Sequence, residues 1–363
     1  MGGSAAGHDG HMPSADTITS ANSTEDPNPA AAETSAAQPA GESTKTVLLA
    51  LAANIAVGLL KLIAGLLTGS GALLSEAAHS VGDSSTELLL LTALRKSEKP
   101  ADSVHPFGYG KERYFWSLLA AVTILVSGAA FSIYEGLDTI LAGEGPVKDA
   151  WLSYLVLVLA AILEGTSLRQ GIMQMRDVAA RGRRSTRSYL RNPDDPTVKS
   201  VVLEDSAAII GLVLAATGVG LHQLTGHGYY DGAASLAIGV LLIGAAFALA
   251  QSCKGLLIGK QADLRLVRAI SDRLEEQPEI LDVVDVLTMM TGVNRVLLCV
   301  RVDLVNSYTA ADVERACIRI DSELREEFTD LDEIFIQPVP RSDAALREKV
   351  LTRYGRVLAD EPE

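Results

Sequence analysis

Six apolar runs dominate the chain: Lys45–Thr68, Gly71–Leu94, Tyr114–Leu141, Trp151–Met175, Val198–Leu221 and Tyr230–Ile258. Each reaches the ~20 residues that an α-helix needs to cross ~30 Å of hydrocarbon at ~1.5 Å per residue. Past Ile258 the period changes. Leu266, Ile270 and Leu274 predict an amphipathic helix over Leu264–Gln277. Val283–Met290 and Val293–Val305 read as strands around a Thr291-Gly292 hairpin turn. Ala310–Phe328 returns to helical period, and Glu333–Val339 is a short last strand before Pro340. Helix, two strands, helix and strand make a small α+β unit with its helices on one sheet face. The expected fold class is a polytopic α-helical membrane protein of six transmembrane helices with a C-terminal α+β domain.

The second run breaks the pattern that the others keep. Its sequence GALLSEAAHSVGDSSTELLLLTAL carries Glu76, His79, Asp83 and Glu87 at spacings of three, four and four. On a helix those spacings stack the four on one stripe, because residues three and four apart share a face. An ionisable group in a membrane span costs at least ~2.5–3.5 kcal/mol on insertion scales, so this stripe must face protein or water. His79 and Asp83, one turn apart, offer nitrogen and oxygen to a single divalent ion. The alternative is a polar helix buried in a bundle and satisfied by its neighbours.

Composition adds soluble ends to this membrane core. The chain is 48% hydrophobic, with a mean hydropathy of +0.23 that comes from blocks and not from an even spread. Residues 1–43 are Ala, Ser, Gly, Thr, Pro and acids, with no Lys or Arg before Lys45. Such a segment does not bury enough apolar surface to offset its ordering entropy and is expected to be a disordered tail. It lacks the basic start and short apolar core of a secretory signal. His8 and His11 read as incidental histidines of a solvated tail. Residues 44–258 then form the membrane domain, 259–340 the α+β domain and 341–363 a C-terminal tail with room for one short helix. Cys253, Cys299 and Cys317 are too scattered for a disulfide framework and fit a reducing compartment, the last two as packing residues.

Charge sets the orientation. The net charge is −14, yet its sign alternates along the chain. Arg95, Lys96, Lys99, Lys111 and Arg113 follow the second run. Arg176, Arg181, Arg183, Arg184, Arg187, Arg191 and Lys199 follow the fourth. Thr68–Ala72 and His222–Tyr230 hold no Lys or Arg, and Ala142–Ala150 has only Lys148. The positive-inside bias places the even loops and both termini in the cytoplasm, and the plasma (cell) membrane is the expected location.

Depth selects the partners of His79 and Asp83. Asp83 lies about eleven residues, or roughly 17 Å, below the outer edge of the second run. In VVLEDSAA, Asp205 lies about seven residues, or roughly 10 Å, from the inner edge of the fifth. In a core ~30 Å thick, His79, Asp83 and Asp205 therefore come to similar depth. Glu204 points about 100° away from Asp205 and is either a ligand or a partner for a neighbouring helix. Glu164, in ILEGTSLRQ, pairs with Arg169 or lines the pathway.

On these residues the chain resembles the cation diffusion facilitators, the family of zinc and related divalent-metal transporters. HSVGD, from His79 to Asp83, matches the family's His/Asp-x-x-x-Asp. VVLED ending in Asp205, HPFGYGKERYFW from His105 to Trp116 and YYDGAASLAIGV at the start of the sixth run match as well. AAHSVGD, HPFGYGKERYFW, SIYEG and LEDSAA resemble the branch that contains the mitochondrial zinc transporter. The resemblance covers about residues 45 to 340. It implies a ferredoxin-like fold for the soluble domain, a homodimer and a metal site of His79, Asp83 and Asp205.

Departures from the family pattern narrow that expectation. Val201 stands where most zinc members carry His or Asp, so the fourth ligand is water, Glu204 or Asn54 of the first run, or the site is three-coordinate at rest. Three protein ligands with an open position suit an ion that must enter and leave. Members with a loop metal site use Asp102, His105 and a second His, and that last position is Tyr109 here. The soluble domain has no histidine, so a His-built regulatory zinc site is not expected there.

The resulting expectation is a secondary transporter that exports a divalent cation, zinc first, from the cytoplasm by proton antiport. A broader exporter of Co²⁺, Cd²⁺, Mn²⁺ or Fe²⁺, or a membrane sensor that binds metal without transport, would use the same ligands. Neither a His-Glu-x-x-His motif nor a nucleophile paired with a base supports an enzyme. The expected partners are the cation and protons as transported species, the bilayer and a second copy of the chain. No cofactor and no nucleic acid are expected.

Overall fold

The computed structural model describes residues 40–142, 150–181 and 195–354. The expected disordered tail lies outside the described residues up to residue 39; the first helix already begins at Ala40. The cluster Arg183, Arg184, Arg187 and Arg191, Lys148, and the last residues of the C-terminal tail also lie outside them. From Leu48 onward the chain forms one compact unit, and the packing described below is within it.

Six long helices come first: α1 (Ala40–Thr68), α2 (Gly71–Ser97), α3 (Glu112–Ala142), α4 (Ala150–Arg181), α5 (Pro196–Thr225) and α6 (Tyr229–Ile258). Among the described residues, four of them have stretches long and apolar enough to cross a membrane, in α3, α4, α5 and α6. The apolar part of α1 shortens to Asn54–Thr68, and α2 carries the ionisable stripe. Helix α3 is continuous, but Ile124–Ala130 is wound as π-helix.

These helices are built inside out. On α1, Leu59, Leu60, Leu62, Ile63, Leu66 and Leu67 face outward while Lys61, Ala64 and Thr68 are buried. Lipid tails are as apolar as leucine, so nothing drives leucine inward, whereas a polar side chain exposed to hydrocarbon is costly. Helix starts are capped from within the bundle. Ser70 caps α2 and accepts from Leu73 N at 3.2 Å. The buried carboxylate of Asp231 accepts from Ser70 Oγ at 3.0 Å and Ala72 N at 3.1 Å, placing an acid at the positive end of α2. Asp195 caps α5, with Pro196 in the first turn, where a missing N–H costs nothing.

The soluble part runs α7 (Leu264–Glu275), β1 (Ile280–Gly292), β2 (Arg295–Leu304), α8 (Ala310–Glu327), β3 (Leu331–Pro338) and α9 (Ala344–Tyr354). Strands β1 and β2 pair antiparallel, and α8 carries the chain across to β3, parallel to β2. Alternate residues of β2, namely Val296, Leu298, Val300 and Val302, form one core with Val267, Ile270 and Leu274 of α7 and Ile320 and Leu324 of α8. Helix α9 builds a separate cluster, setting Leu346 and Val350 on Val284. The hairpin turn differs from expectation. Thr291 and Gly292 belong to β1, with Gly292 opposite Arg295, and Val293-Asn294 makes the turn. Asn294 has a φ of 54°, a left-handed conformation that its short polar side chain tolerates better than most. Cys299 and Cys317 are half-buried, and partial burial pushes both thiols up. Among the described residues only Cys253 is a fully buried cysteine.

The loop between α2 and α3 seats on this hairpin. A Cβ on Gly110 would stand 2.5 Å from Thr291 O and 2.8 Å from Gly292 Cα, so only glycine allows the two backbones to meet. Lys111 Nζ reaches Met289 Sδ at 3.8 Å, and Tyr114 is buried in the soluble-domain core. Gly110→Ala should therefore cost about 1–3 kcal/mol by overpacking and lower the thermal midpoint of the purified protein. Gly244→Ala, in a helix position with no heavy atom within 4 Å, should leave it unchanged or raise it slightly. Thermal unfolding of the two variants side by side checks this.

Candidate metal centre

Helix α2 carries its stripe into the bundle interior. Glu76, His79 and Asp83 are buried, and His79 Nδ1 stands 3.3 Å from Asp83 Oδ1 across one turn. The π-helical stretch of α3 packs against this level of α2. A Cβ on Gly128 would lie 4.0 Å from His79 Cα, and one on Gly82 would lie 3.0 Å from Ser127 Oγ. Glycines on both helices thus bring the backbones together beside His79. π-Turns of this kind recur at functional sites.

The carboxylates of α4 and α5 complete the surroundings. Asp83 lies among Glu204 and Asp205 of α5, Glu164 of α4 and Lys61 of α1. Glu204 is buried and bonded to Ser200 on its own helix, and Ser167 of α4 bonds the carboxylate of Asp205. His79 Nε2, Asp83 Oδ1 and Asp205 Oδ2 are buried and make no hydrogen bond. Buried polar atoms are nearly always bonded, so these three mark coordinating capacity that the protein does not spend on itself.

The predicted residues do not all meet. His79 and Asp83 are adjacent, whereas among the described residues no three His, Cys, Asp or Glu side chains enclose one point closely enough for a metal. Asn54 donates to Glu87 Oε1 at 2.6 Å. Glu164 leaves Arg169 exposed and sits 3.7 Å from Lys61 Nζ. Lys61 is a buried pairing residue that the apolar pattern understated: a basic residue in the middle of an apolar run signals a buried partner. His222 of α5 is similar. It is buried near Asp231 with neither ring nitrogen hydrogen-bonded.

The loop residues behave differently. His105 and Asp102 are half exposed, with Nδ1 and Oδ1 at 3.7 Å. Asp102 accepts from Tyr109 OH at 2.7 Å, His105 N at 2.7 Å and Val104 N at 2.9 Å. These donors, Tyr109 first, hold its carboxyl below the usual carboxylate range. Tyr109, standing at the family's second histidine position, thus orders the loop through Asp102.

A helical membrane protein with an ionisable centre inside the bundle is the class that this geometry defines. The cation efflux transmembrane domain family matches residues 47–258, and the chain belongs to that family of transporters. It is 32% identical over 259 residues to the proton-coupled zinc antiporter SLC30A9, mitochondrial, of Xenopus laevis, covering 71% of this chain and 46% of that protein. The Homo sapiens protein of the same name is 32% identical over 260 residues, covering 71% and 45%. Metal tolerance protein C4 of Arabidopsis thaliana is 34% identical over 221 residues, covering 61% and 48%. The chain spans about half the length of these relatives.

The comparison corrects the expected location. Relatives named as mitochondrial point to a mitochondrial membrane and overturn the plasma membrane as the expected location. Charge bias in loops reports which ends share a face, not which membrane they flank.

Because the folded-state pKa of Asp102 is depressed, its contribution to loop order is present at neutral pH and is lost as pH falls through that value. Tyr109→Phe removes the first of the three donors. It should raise the Asp102 pKa toward the ordinary carboxylate value and move the loss of loop order to higher pH. Amide hydrogen exchange of residues 102–109 against pH reads this out.

Proposed function

We propose that this protein is a secondary transporter that moves a divalent cation, zinc first, away from the face bearing the soluble domain in exchange for protons. The observation that carries the reading is the His79–Asp83 pair: buried at one turn's spacing with lone pairs unspent, in a chain of the cation efflux family. Asp205 and Glu204 supply the remaining oxygens when α5 closes toward α2. Imidazole and carboxylate bind a metal only when deprotonated, so loading the ion expels protons, and reprotonation from the far side releases it. Rocking of the bundle about this midplane site exposes it to each face in turn.

On this reading all six long helices cross the membrane, α2 being shielded from lipid by its neighbours. The αββαβ soluble domain is ferredoxin-like and joins two copies of the chain. Its acidic surface raises the local concentration of cations, an effect that salt weakens. The specificity for zinc is relaxed. Val201 supplies no ligand, and the surrounding groups are carboxylates, which suit Mn²⁺ and similar ions better than a nitrogen-rich cage does.

In vesicles with a pH gradient, wild-type protein should drive Zn²⁺ uptake that collapses when the gradient is dissipated. Asp83→Ala and Asp205→Ala should each abolish uptake while the protein still elutes as a folded species. Full flux through folded Asp205→Ala would remove α5 from the site.

Val201→His adds a nitrogen ligand one turn from Asp205. It should raise Zn²⁺ affinity relative to Mn²⁺ and slow release, read as a lower KM and a lower maximal rate. Unchanged ratios among Zn²⁺, Co²⁺, Cd²⁺ and Mn²⁺ would mean that this position does not shape the site.

A further inference from the structure

We propose that Lys61 is a fixed internal cation that weakens the hold of the His79–Asp83 site on its divalent ion and so speeds release. The proposal rests on the reading of His79 and Asp83 as the ion's binding place.

Lys61 is completely buried, on the one inward face of α1. Its ammonium donates to Glu76 Oε2 at 3.1 Å and to Ser80 Oγ at 2.9 Å, both on α2, and lies 3.7 Å from Glu164 Oε1 on α4. One side chain therefore ties three helices together at the level of the candidate site. Stability alone is a poor reason to keep such a group. Replacing a buried ion pair by apolar residues is often neutral or stabilising, and a charge inside a membrane helix is costly.

Its position supplies another reason. Ser80 is the residue after His79, and Glu76 lies one turn before it. Lys61 Nζ, held at 2.9 Å from Ser80 Oγ, thus places a positive charge on the turn of α2 that bears His79. A divalent ion bound there meets a permanent like charge that neither leaves nor exchanges. The other ionisable groups around this space are Glu76 and Glu87 of α2, Glu164 of α4 and Glu204 and Asp205 of α5. All five are acidic and would trap a divalent ion if nothing opposed them. Glu76 is placed to divert the ammonium. A Cβ on Gly211 of α5 would collide with Glu76 Oε1, so the missing side chain at Gly211 leaves room for that carboxylate. A transporter needs a site that binds and also lets go, and a tethered cation beside the site shifts that balance toward release.

The test uses the full chain in detergent and in vesicles, with Zn²⁺ as probe. Affinity is read by competition with a fluorescent chelator, and KM and maximal rate by flux. Lys61→Gln removes the opposing charge and should tighten Zn²⁺ binding about tenfold or more while lowering the maximal rate. Glu76→Gln removes the group that diverts the ammonium and should weaken binding by a similar factor. Lys61→Arg keeps the charge and should stay near wild type. If Lys61 merely stapled the helices, Lys61→Gln would leave Zn²⁺ affinity unchanged or weaken it as Glu76→Gln does, and either result overturns the proposal. Should Lys61→Gln fail to fold, weakened binding by Glu76→Gln that the double variant Lys61→Gln/Glu76→Gln restores would support it, and unchanged binding by Glu76→Gln would overturn it. Asp83→Ala run in parallel separates the two levels. Retained Zn²⁺ binding there defeats the site itself, whereas lost binding alongside same-direction shifts defeats only the role of Lys61.

Discussion

The cost of an ionisable group in hydrocarbon governs this molecule. Helix α2 carries four such groups along one face, and α1 carries a lysine that is completely buried. The bundle is arranged so that each is turned inward and most are compensated. Lys61 meets Glu76, Ser80 and Glu164. Asn54 meets Glu87, and Ser200 meets Glu204. The outward faces are left to leucine, isoleucine and valine. What is not compensated is then informative: His79, Asp83 and Asp205 keep unbonded buried atoms, as Glu76, Glu87 and His222 do elsewhere in the bundle, and of these His79 and Asp83 stand one turn apart.

Small residues permit that arrangement. Gly82 on α2 leaves room for Ser127 of α3, Gly128 on α3 for Leu242 of α6, and Gly211 on α5 for Glu76. Close approach of this kind is how membrane helices pack, since lipid gives no hydrophobic drive between them. The same device works outside the bundle. Gly110 seats the loop between α2 and α3 on the β1–β2 hairpin, beside Tyr114 of α3 in the soluble-domain core.

Much of this was legible in the residues. The apolar runs, the stripe on α2 and the change of period past Ile258 are local signals, each decided within a few turns of chain. The turn between β1 and β2 was misread because Gly292 looks like a turn residue, and only cross-strand register shows that it pairs with Arg295. Asn54 and Glu204 were open alternatives because their distance from Asp83 depends on helix rotation and tilt, which no single run encodes. Tyr109 looked like a missing ligand, whereas its hydroxyl holds Asp102 and orders the loop.

By itself the sequence determined which segments are helical and apolar, which face of α2 is polar, and that His79 and Asp83 share a turn. It did so because helical period and hydrophobicity are properties of neighbours in the chain. Only the tertiary structure decided that Lys61 reaches Glu76 and Glu164 across three helices, that Asn54 is taken by Glu87, and that the loop at Gly110 rests on the hairpin. Those pairings join residues far apart in the chain. They follow from how packed helices are rotated against one another, which is set by the sum of many weak contacts and by the need to leave no charge facing lipid.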